Sequence, residues 1–236
     1  MQSKNGYAIV DQDYIITGAI ESEMKTIYLV RHGETYFNKL GRVQGWCDSL
    51  LTPLGEAQAK LSGEFFAKNQ IGFDEVWTSD MGRTRKTAAI IVHHSKNDKA
   101  ALRETPLLRE TSFGRFEGWA NDDMWQSVGR IIGKPDFEDS WPSAEKMNAL
   151  AGIKSLDRQL NVAENLDDVE KRARMLLSKI AKSHCSVLLL VSHSLFISIL
   201  LRVLGDPGVD HIPNGSITKM LETSGRFQLQ YVGRTE

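Results

Sequence analysis

The sequence predicts an α/β fold, with a mostly parallel central sheet, helices on both faces and an inserted cap segment. Short apolar runs rich in β-branched residues alternate with longer segments in which apolar residues recur at helical spacing. This alternation is typical of parallel sheets covered by helices. The chain of 236 residues contains no internal repeat and no linker, so residues 25–236 are predicted to form a single domain.

The first half of the chain supplies the first elements in order. Residues 1–24 form an N-terminal extension whose two β-prone runs suggest a possible β-hairpin. A short apolar run at 26–30 predicts a buried strand. Thr52-Pro53 predicts a helix start, because threonine caps a helix and proline fits its first turn, and apolar residues then recur to Phe66. A strand at 73–78, a helix at 81–93 and an apolar run at 101–108 follow.

The second half contains one segment without a clear period. Residues 119–165 carry three tryptophans and two prolines, and we expect an irregular inserted cap that folds over another part of the molecule rather than a core element. Whether its tryptophans belong to the core or to a lid stays open. Apolar spacing then predicts a helix at 166–183, a buried strand at 186–191 and a helix at 195–204. Two β-prone runs around Thr223-Ser224-Gly225 predict a final hairpin.

The composition excludes several classes of protein. Lys and Arg number 29 against 30 Asp and Glu, so neither nucleic acid nor a membrane is an expected partner. Two cysteines make no disulfide framework, no apolar run is long enough to span a bilayer, and the first residues make a poor signal peptide. We therefore expect a cytoplasmic protein, either a monomer or a homodimer.

Two histidines occupy equivalent places in the predicted sheet. Arg31-His32 follows the first strand of the domain, and Ser192-His193 follows the most apolar strand. Ligands of open α/β sheets bind beyond the carboxyl ends of the strands. One histidine after a strand is usually a structural residue, but two in the same setting indicate a common site.

Further polar groups fit the same edge of the sheet. Arg83 lies in the first turn of a predicted helix, where a cation is unfavourable unless an anion is bound nearby. Glu110 follows a third apolar run, and a loop after Asn38 supplies Gln44 and Gly45. Together with the two histidines, these residues predict an anion site that contains acid–base groups.

The chain resembles the histidine phosphatase (phosphoglycerate mutase-like) superfamily, specifically its cofactor-independent phosphatase branch, over about residues 25–232. The resemblance rests on an ordered set of motifs: "LVRHGET", "QGW", "LTPLGEAQA", "SDMGRTRKTA", "LRETSFGRFEGW", "AENLDDVEKR", "VSHS" and "IPNGSITKMLE". Relatives commonly carry glycine after the second histidine, where this chain has Ser194, and that difference could alter the choice of substrate.

The resemblance implies a phosphomonoester phosphatase that needs no metal and no cofactor and acts on small phosphorylated metabolites. His32 would take the phosphoryl group, while Arg31, Arg83 and His193 would hold its oxygens. Glu110 would protonate the leaving group and then activate water. The implied phosphate-binding residues are Thr35, Asn38, Gln44, Gly45 and Ser194.

Three alternatives stay open. A phosphoglycerate mutase is disfavoured, because segment 122–145 holds six acidic and two basic residues and "RETSFG" stands where a mutase is expected to carry "NERHYG". A non-catalytic phosphate-binding protein could share the fold. Asp11 and Asp13 resemble the signature of aspartyl-nucleophile phosphatases, but Ile15 stands where threonine or valine is usual.

Overall fold

The computed structural model describes residues 24–206 and 211–235. Both the hairpin expected in the N-terminal extension and the Asp11–Asp13 pair lie outside these ranges. The elements within them form one six-stranded sheet with seven α-helices. The strands are β1 (Lys25–Arg31), β2 (Glu75–Thr78), β3 (Ala101–Glu104), β4 (Val187–Ser192), β5 (Ile217–Thr223) and β6 (Arg226–Arg234). The helices are α1 (Tyr36–Lys39), α2 (Pro53–Lys68), α3 (Gly82–His94), α4 (Asn121–Ile132), α5 (Ser143–Leu156), α6 (Leu166–Ala181) and α7 (Ser194–Val203).

The strand order is β3-β2-β4-β1-β5-β6. The first four strands of this order run parallel to one another, whereas β5 and β6 are antiparallel to their neighbours. Strands β1 and β4 are therefore central neighbours, and their carboxyl ends lie side by side. The predicted fold class, a mostly parallel sheet within an α/β protein, is confirmed.

Alternate residues of the central strands face two separate cores. Ile27 and Leu29 of β1 pack with residues of α4–α7, whereas Tyr28 and Val30 pack with residues of α2 and α3. Because side chains of a strand point to opposite faces in turn, a continuous apolar strand serves both layers. The helices therefore cover both faces, as predicted.

Two predicted details of helix α2 and the final hairpin are also observed. The Thr52 side chain accepts a hydrogen bond from the Gly55 amide at 3.0 Å, with Pro53 in the first turn. Strands β5 and β6 pair through the turn at Ser224 and Gly225, both of which have positive φ. Within the parts of the chain given above, no helix is long and apolar enough to cross a bilayer.

The expectation for residues 119–165 was wrong in one respect. The segment contains α4 and α5, and Met124, Trp125 and Val128 of α4 are buried in the same core as α6 and α7. The helical spacing of these side chains was obscured by the prolines at 135 and 142, which lie outside both helices. Trp125 thus belongs to the core, while Trp119 is 40% exposed.

Candidate active site

The two histidines lie side by side because of the register of the sheet. Arg31 is opposite Ser192 in the β1–β4 ladder, and the His32 amide continues that ladder by donating to the Ser192 carbonyl at 3.0 Å. The rings of His32 and His193 follow directly, with centroids 5.1 Å apart and planes inclined at 64°. The structure thus brings the two predicted histidines together at the carboxyl ends of β1 and β4.

His32 is held as a neutral imidazole in one tautomer. Its Nδ1 lies 2.8 Å from the Gly33 carbonyl, which can only accept a hydrogen bond, so Nδ1 carries the proton. Burial lowers the pKa of His32 well below its usual value, and Arg83 and Arg31 lower that pKa further. Its Nε2 is therefore left with a lone pair.

His193 has the opposite tautomer. Arg83 donates from Nε to His193 Nδ1 at 3.2 Å, so the proton of the neutral ring lies on Nε2, which is 2.9 Å from Ser79 Oγ. Burial lowers the pKa of His193 as well, and Arg83 and His32 lower that pKa further. Both ring nitrogens of His193 thus have protein partners, and its predicted contact with a phosphoryl oxygen stays a prediction.

Arg83 connects His193 to the loop over residues 44–48. Besides Nε, its Nη1 donates to the Cys47 carbonyl at 2.9 Å and to Asp48 at 3.0 Å, and its Nη2 donates to the Gly45 carbonyl at 2.8 Å. The residue is 1% exposed. Asp48 is thus an anion beside Arg83, and it also accepts from the Gly82 amide at the start of α3. The predicted contact of Arg83 with a phosphoryl oxygen stays a prediction.

Arg31 combines a fixed end with an unpartnered nitrogen. Its Nη1 donates to the Ile212 carbonyl at 2.5 Å, while its buried Nε has no partner among the residues described. Burial lowers the pKa of Arg31 to about 10, an effect that Glu110 opposes, so the guanidinium stays positive at neutral pH. Arg31 therefore keeps a buried donor available to an anion.

The Glu110 carboxyl group lies against the N-terminus of α7. It accepts from the amides of Leu195 and Phe196 at 3.1 and 2.8 Å, and from the Thr111 amide at 2.9 Å. Burial raises the pKa of Glu110 above its usual value, although these amides and Arg83 act in the opposite direction. The group is thus a carboxyl that holds its proton to a higher pH than a solvated glutamate does.

The predicted phosphate-binding residues fall into two groups. Asn38, Gln44 and Ser194 line a cavity of about 350 Å³ together with Arg31 and Glu110. The polar groups of Thr35 and Gly45 are engaged elsewhere. Thr35 caps α1 and donates to Gln44 at 2.7 Å, and the Gly45 amide donates to Glu117 at 3.0 Å. Any contact of these two residues with phosphate stays a prediction.

Sequence reasoning missed two residues that organise the site. The Glu117 carboxylate accepts from the amides of Gly45, Trp46 and Cys47 and so fixes the loop whose carbonyls bind Arg83. Asn214 donates to the His32 carbonyl at 3.0 Å. Glu117 lies in the motif "FEGW" and Asn214 in the motif "IPNG". Each is a polar residue of a motif to which no role had been assigned, and that was the only sign in the sequence of its importance.

The cavity also has cationic walls. Arg42 from the loop after α1 and Lys146 from α5 line it, as do His211 and Asp139. Of the six acidic residues in segment 122–145, Asp139 alone lines the cavity. Its carboxylate accepts from Lys146 Nζ at 2.8 Å and from Trp125 Nε1 at 3.1 Å.

Across the described ranges, no three His, Cys, Asp or Glu side chains cluster in a way that could hold a metal ion.

Comparison with known proteins identifies the family. A model of the "Histidine phosphatase superfamily (branch 1)" matches residues 27–235. A protein of Hydrogenobacter thermophilus named "Putative phosphoserine phosphatase 2" is 30% identical over 216 residues, which are 89% of this chain and 96% of that protein. A broad-specificity phosphatase of Saccharomyces cerevisiae is 37% identical over 92 residues, covering 39% of this chain and 40% of its own length.

A solved structure gives the same result. The crystal structure of phosphoglycerate mutase from Bacillus anthracis is similar with a TM-score of 0.81 and 30% sequence identity, covering 91% of this chain and 95% of that one. The predicted resemblance is confirmed, and the phosphatase names agree with the prediction of a phosphomonoester hydrolase. On the matched motifs, the paired histidines and the family model, this chain belongs to the histidine phosphatase superfamily.

Proposed function

We propose that this enzyme hydrolyses small phosphomonoesters through a covalent phosphate on His32. The observation that carries the proposal is the state of His32. Its ring is neutral and buried, its Nδ1 proton is bound to the Gly33 carbonyl, and the Nε2 lone pair is left for attack. A nucleophile must be unprotonated at the attacking atom, and this ring meets that condition without an adjacent base.

In the first step, Nε2 of His32 attacks phosphorus while the bond from phosphorus to the ester oxygen breaks. The Arg31 guanidinium, with its buried and unpartnered Nε, stabilises the charge on the phosphoryl oxygens. Glu110 gives its proton to the departing alkoxide, which is otherwise a poor leaving group. The products of this step are the free alcohol, phospho-His32 and a carboxylate at position 110.

In the second step, water attacks phosphorus and the bond from phosphorus to Nε2 breaks. The Glu110 carboxylate takes a proton from that water and regains its initial state, and inorganic phosphate leaves. The amides of Leu195 and Phe196 stabilise the carboxylate between the two steps. Because arginine side chains supply the positive charge, we expect the activity to need no divalent cation.

The cationic walls of the cavity favour a second candidate function, phosphoglycerate mutase. Five of the six acids that counted against a multiply charged substrate do not line the cavity, and Asp139 is paired with Lys146. Arg42 and Lys146 suit a leaving group with a carboxylate of its own. This observation removes the charge argument against a mutase, although the motif "RETSFG" still favours hydrolysis.

One experiment tests both candidates. The purified protein is incubated in chelator with nitrophenyl phosphate, sugar phosphates, phosphoserine and 3-phosphoglycerate, and free phosphate and 2-phosphoglycerate are measured. We expect release of phosphate and formation of an acid-labile, alkali-stable phosphoenzyme. The His32→Ala variant should form no phosphoenzyme, whereas the control variant His93→Ala, which changes an exposed histidine near the end of α3, should still form it. Formation of 2-phosphoglycerate without phosphate would support the mutase, and no phosphoenzyme from any substrate would refute the proposal.

The same panel assigns a role to the segment 119–165. We expect Lys146→Gln to lower kcat/KM for phosphoserine and 3-phosphoglycerate about tenfold, since it removes one charge-assisted hydrogen bond to a carboxylate. Nitrophenyl phosphate, which has no carboxylate, should be little affected. Lys134→Gln is the matched control, because Lys134 lies in the same segment but outside the cavity lining. Equal effects on all substrates would leave the segment with a purely structural role.

A further inference from the structure

Arg172 on helix α6 holds the backbone around Glu110. Its Nη1 donates to the carbonyls of Arg109 and Leu107 at 2.6 and 3.2 Å, and its Nη2 donates to the Glu110 carbonyl at 3.1 Å. Hydrogen bonds from a charged donor are about twice as strong as those between neutral groups. One side chain therefore fixes the short stretch of chain that leads into Glu110.

Glu164 fixes the Arg172 side chain and also the backbone that follows Glu110. Its two carboxylate oxygens accept from Nε and Nη2 of Arg172 at 2.9 and 2.8 Å, and its Oε2 also accepts from the Ser112 amide at 3.0 Å. The Glu164 amide in turn donates to the Ser112 carbonyl at 3.0 Å. The ion pair thus holds the chain before and after Glu110, and both of its side chains are largely buried.

The same arginine also contacts the element that receives the Glu110 carboxyl group. The Arg172 guanidinium lies over the Phe196 ring at 4.6 Å, and the Phe196 amide donates to Glu110 at 2.8 Å. Arg172 therefore binds the Glu110 backbone directly, and it also contacts Phe196, whose amide binds the Glu110 carboxyl group. Arg172 does not bind the carboxyl group itself in any of these contacts.

We propose that the Arg172–Glu164 pair positions Glu110 for proton transfer to the leaving group. The proposal rests on the function proposed above and adds a positioning pair to it. Proton transfer needs heavy atoms within about 3 Å of each other, and a misplacement of about 1 Å can cost about 10²-fold in rate. A pair that fixes three carbonyls and one amide around Glu110 is suited to limit such movement.

The test compares leaving groups. Single-turnover rates of phosphoenzyme formation are measured for glycerol phosphate, whose alkoxide must be protonated, and for nitrophenyl phosphate, whose phenolate leaves without a proton. We expect Arg172→Gln to slow the glycerol phosphate reaction about 10- to 100-fold and the nitrophenyl phosphate reaction less than about threefold. Glu164→Gln, which keeps one acceptor, should give a smaller loss in the same direction.

Two controls separate positioning from general damage. Arg174→Gln changes an arginine of the same helix that is 63% exposed and paired with Glu170, and it should leave both rates unchanged. In a Glu110→Gln background, Arg172→Gln should cause no further loss with glycerol phosphate, because the proton donor is already absent. Urea unfolding curves report whether each variant is folded under the assay conditions.

Several outcomes would overturn the inference. Equal losses for both leaving groups, or full additivity of Arg172→Gln with Glu110→Gln, would assign the pair a structural role. These outcomes differ from a failure of the proposed function, in which the unmodified protein itself forms no phosphoenzyme. Should Arg172→Gln fail to fold, Glu164→Gln gives the same comparison with a smaller change at the pair.

Discussion

At the scale of single residues, the position of one proton separates the roles of the two histidines. The His32 proton lies on Nδ1 and points to the Gly33 carbonyl, so Nε2 is the ring atom that is left with a lone pair. The His193 proton lies on Nε2 and points to Ser79, because Nδ1 accepts from Arg83. The two histidines thus carry their proton on different ring nitrogens, because each ring has different hydrogen-bond partners.

The role of Glu110 is open to a direct test with Glu110→Gln. Glutamine keeps the size and much of the hydrogen bonding of Glu110 but has no proton to give. We expect phosphoenzyme formation from alkyl phosphates to slow by about 10²–10⁴-fold, and formation from nitrophenyl phosphate to slow far less. Breakdown of phospho-His32 should be impaired for both, so rapid-mixing measurements should show a nitrophenolate burst followed by slow turnover.

His32→Ala should show neither the burst nor the turnover. An equal loss of burst rate for alkyl and aryl substrates would make Glu110 a positioning residue and require another proton donor. Asp122 and Asp123 are not suitable substitutes, because they are exposed in the first turn of α4 and do not line the cavity. A donor outside α4 would then have to be sought.

Where most of the candidate site residues lie in the fold could be predicted from the sequence, but their hydrogen-bond partners could not. His32 and His193 directly follow buried strands, and the geometry of a parallel sheet brings such positions to one edge. The apolar run expected before Glu110, at 101–108, is instead an exposed strand at 101–104 followed by a short 3-10 helix at 106–108, so Glu110 does not directly follow a strand. The binding of Gly45, Trp46 and Cys47 amides to Glu117 joins residues about 70 positions apart. Such contacts depend on how distant loops pack against one another, so no local sequence pattern predicts them.

At the scale of elements, helix α2 docks directly against the turn that carries His32. A Cβ atom on Gly33 would lie 2.2 Å from the Gly55 carbonyl oxygen, and one on Gly55 would lie 2.0 Å from the Glu34 carbonyl oxygen. Two glycines therefore allow backbone to approach backbone. The packing of α2 thus affects the position of His32.

We expect Gly55→Ala to destabilise the protein by about 1–3 kcal/mol, because backbone must move to admit the methyl group. Since the displaced backbone adjoins His32, kcat/KM should fall as well. Urea unfolding and nitrophenyl phosphate hydrolysis measure the two effects. Gly72→Ala is the matched control, because its Cβ would meet nothing nearer than 3.7 Å, and it should change neither quantity. An unchanged unfolding curve for Gly55→Ala would contradict the close packing described.

The elements that the sequence predicted well are those with strong local signals. Helix α2 has a threonine cap and a proline at its start, and α6 has an amphipathic repeat with a capping box at Asn165. Helices α4 and α5 lack side-chain caps, and tryptophans and prolines dominate the segment that contains them. Their helical structure depends on burial of Trp125 and Leu150 against the core, which is a tertiary effect.

At the scale of the whole molecule, burial of two neutral histidines couples stability to pH. The pKa of His32 and that of His193 are lowered in the folded protein, so below pH of about 6.5 the unfolded chain binds protons that the folded protein does not. The free energy of unfolding should therefore fall as the pH falls below about 6.5. Each histidine contributes at most about 1.4 kcal/mol per pH unit.

Glu110 acts with the opposite sign, because its raised pKa lets the folded protein keep a proton that the unfolded chain loses. Its contribution to stability is thus lost as the pH rises above the pKa of an unfolded glutamate. Urea unfolding between pH 5 and 8 measures the sum. The double variant His32→Gln/His193→Gln should lose stability less steeply with acid than the unmodified protein, whereas His93→Gln, which changes an exposed histidine, should not. A slope unaltered in the double variant would mean that neither ring is neutral in the folded state.

The register of β1 against β4 has a consequence for how the superfamily can diversify. The ring separation of 5.1 Å is close to the spacing of about 4.8 Å between neighbouring strands, so the backbone ladder itself sets the distance between the two histidines. Cavity residues such as Arg42, Asp139 and Lys146 belong to loops and helices outside that ladder. Substitutions there can change the shape and charge of the cavity while the distance between the two histidines, which the ladder sets, stays unchanged. Relatives of this chain do carry names as different as phosphatase and mutase.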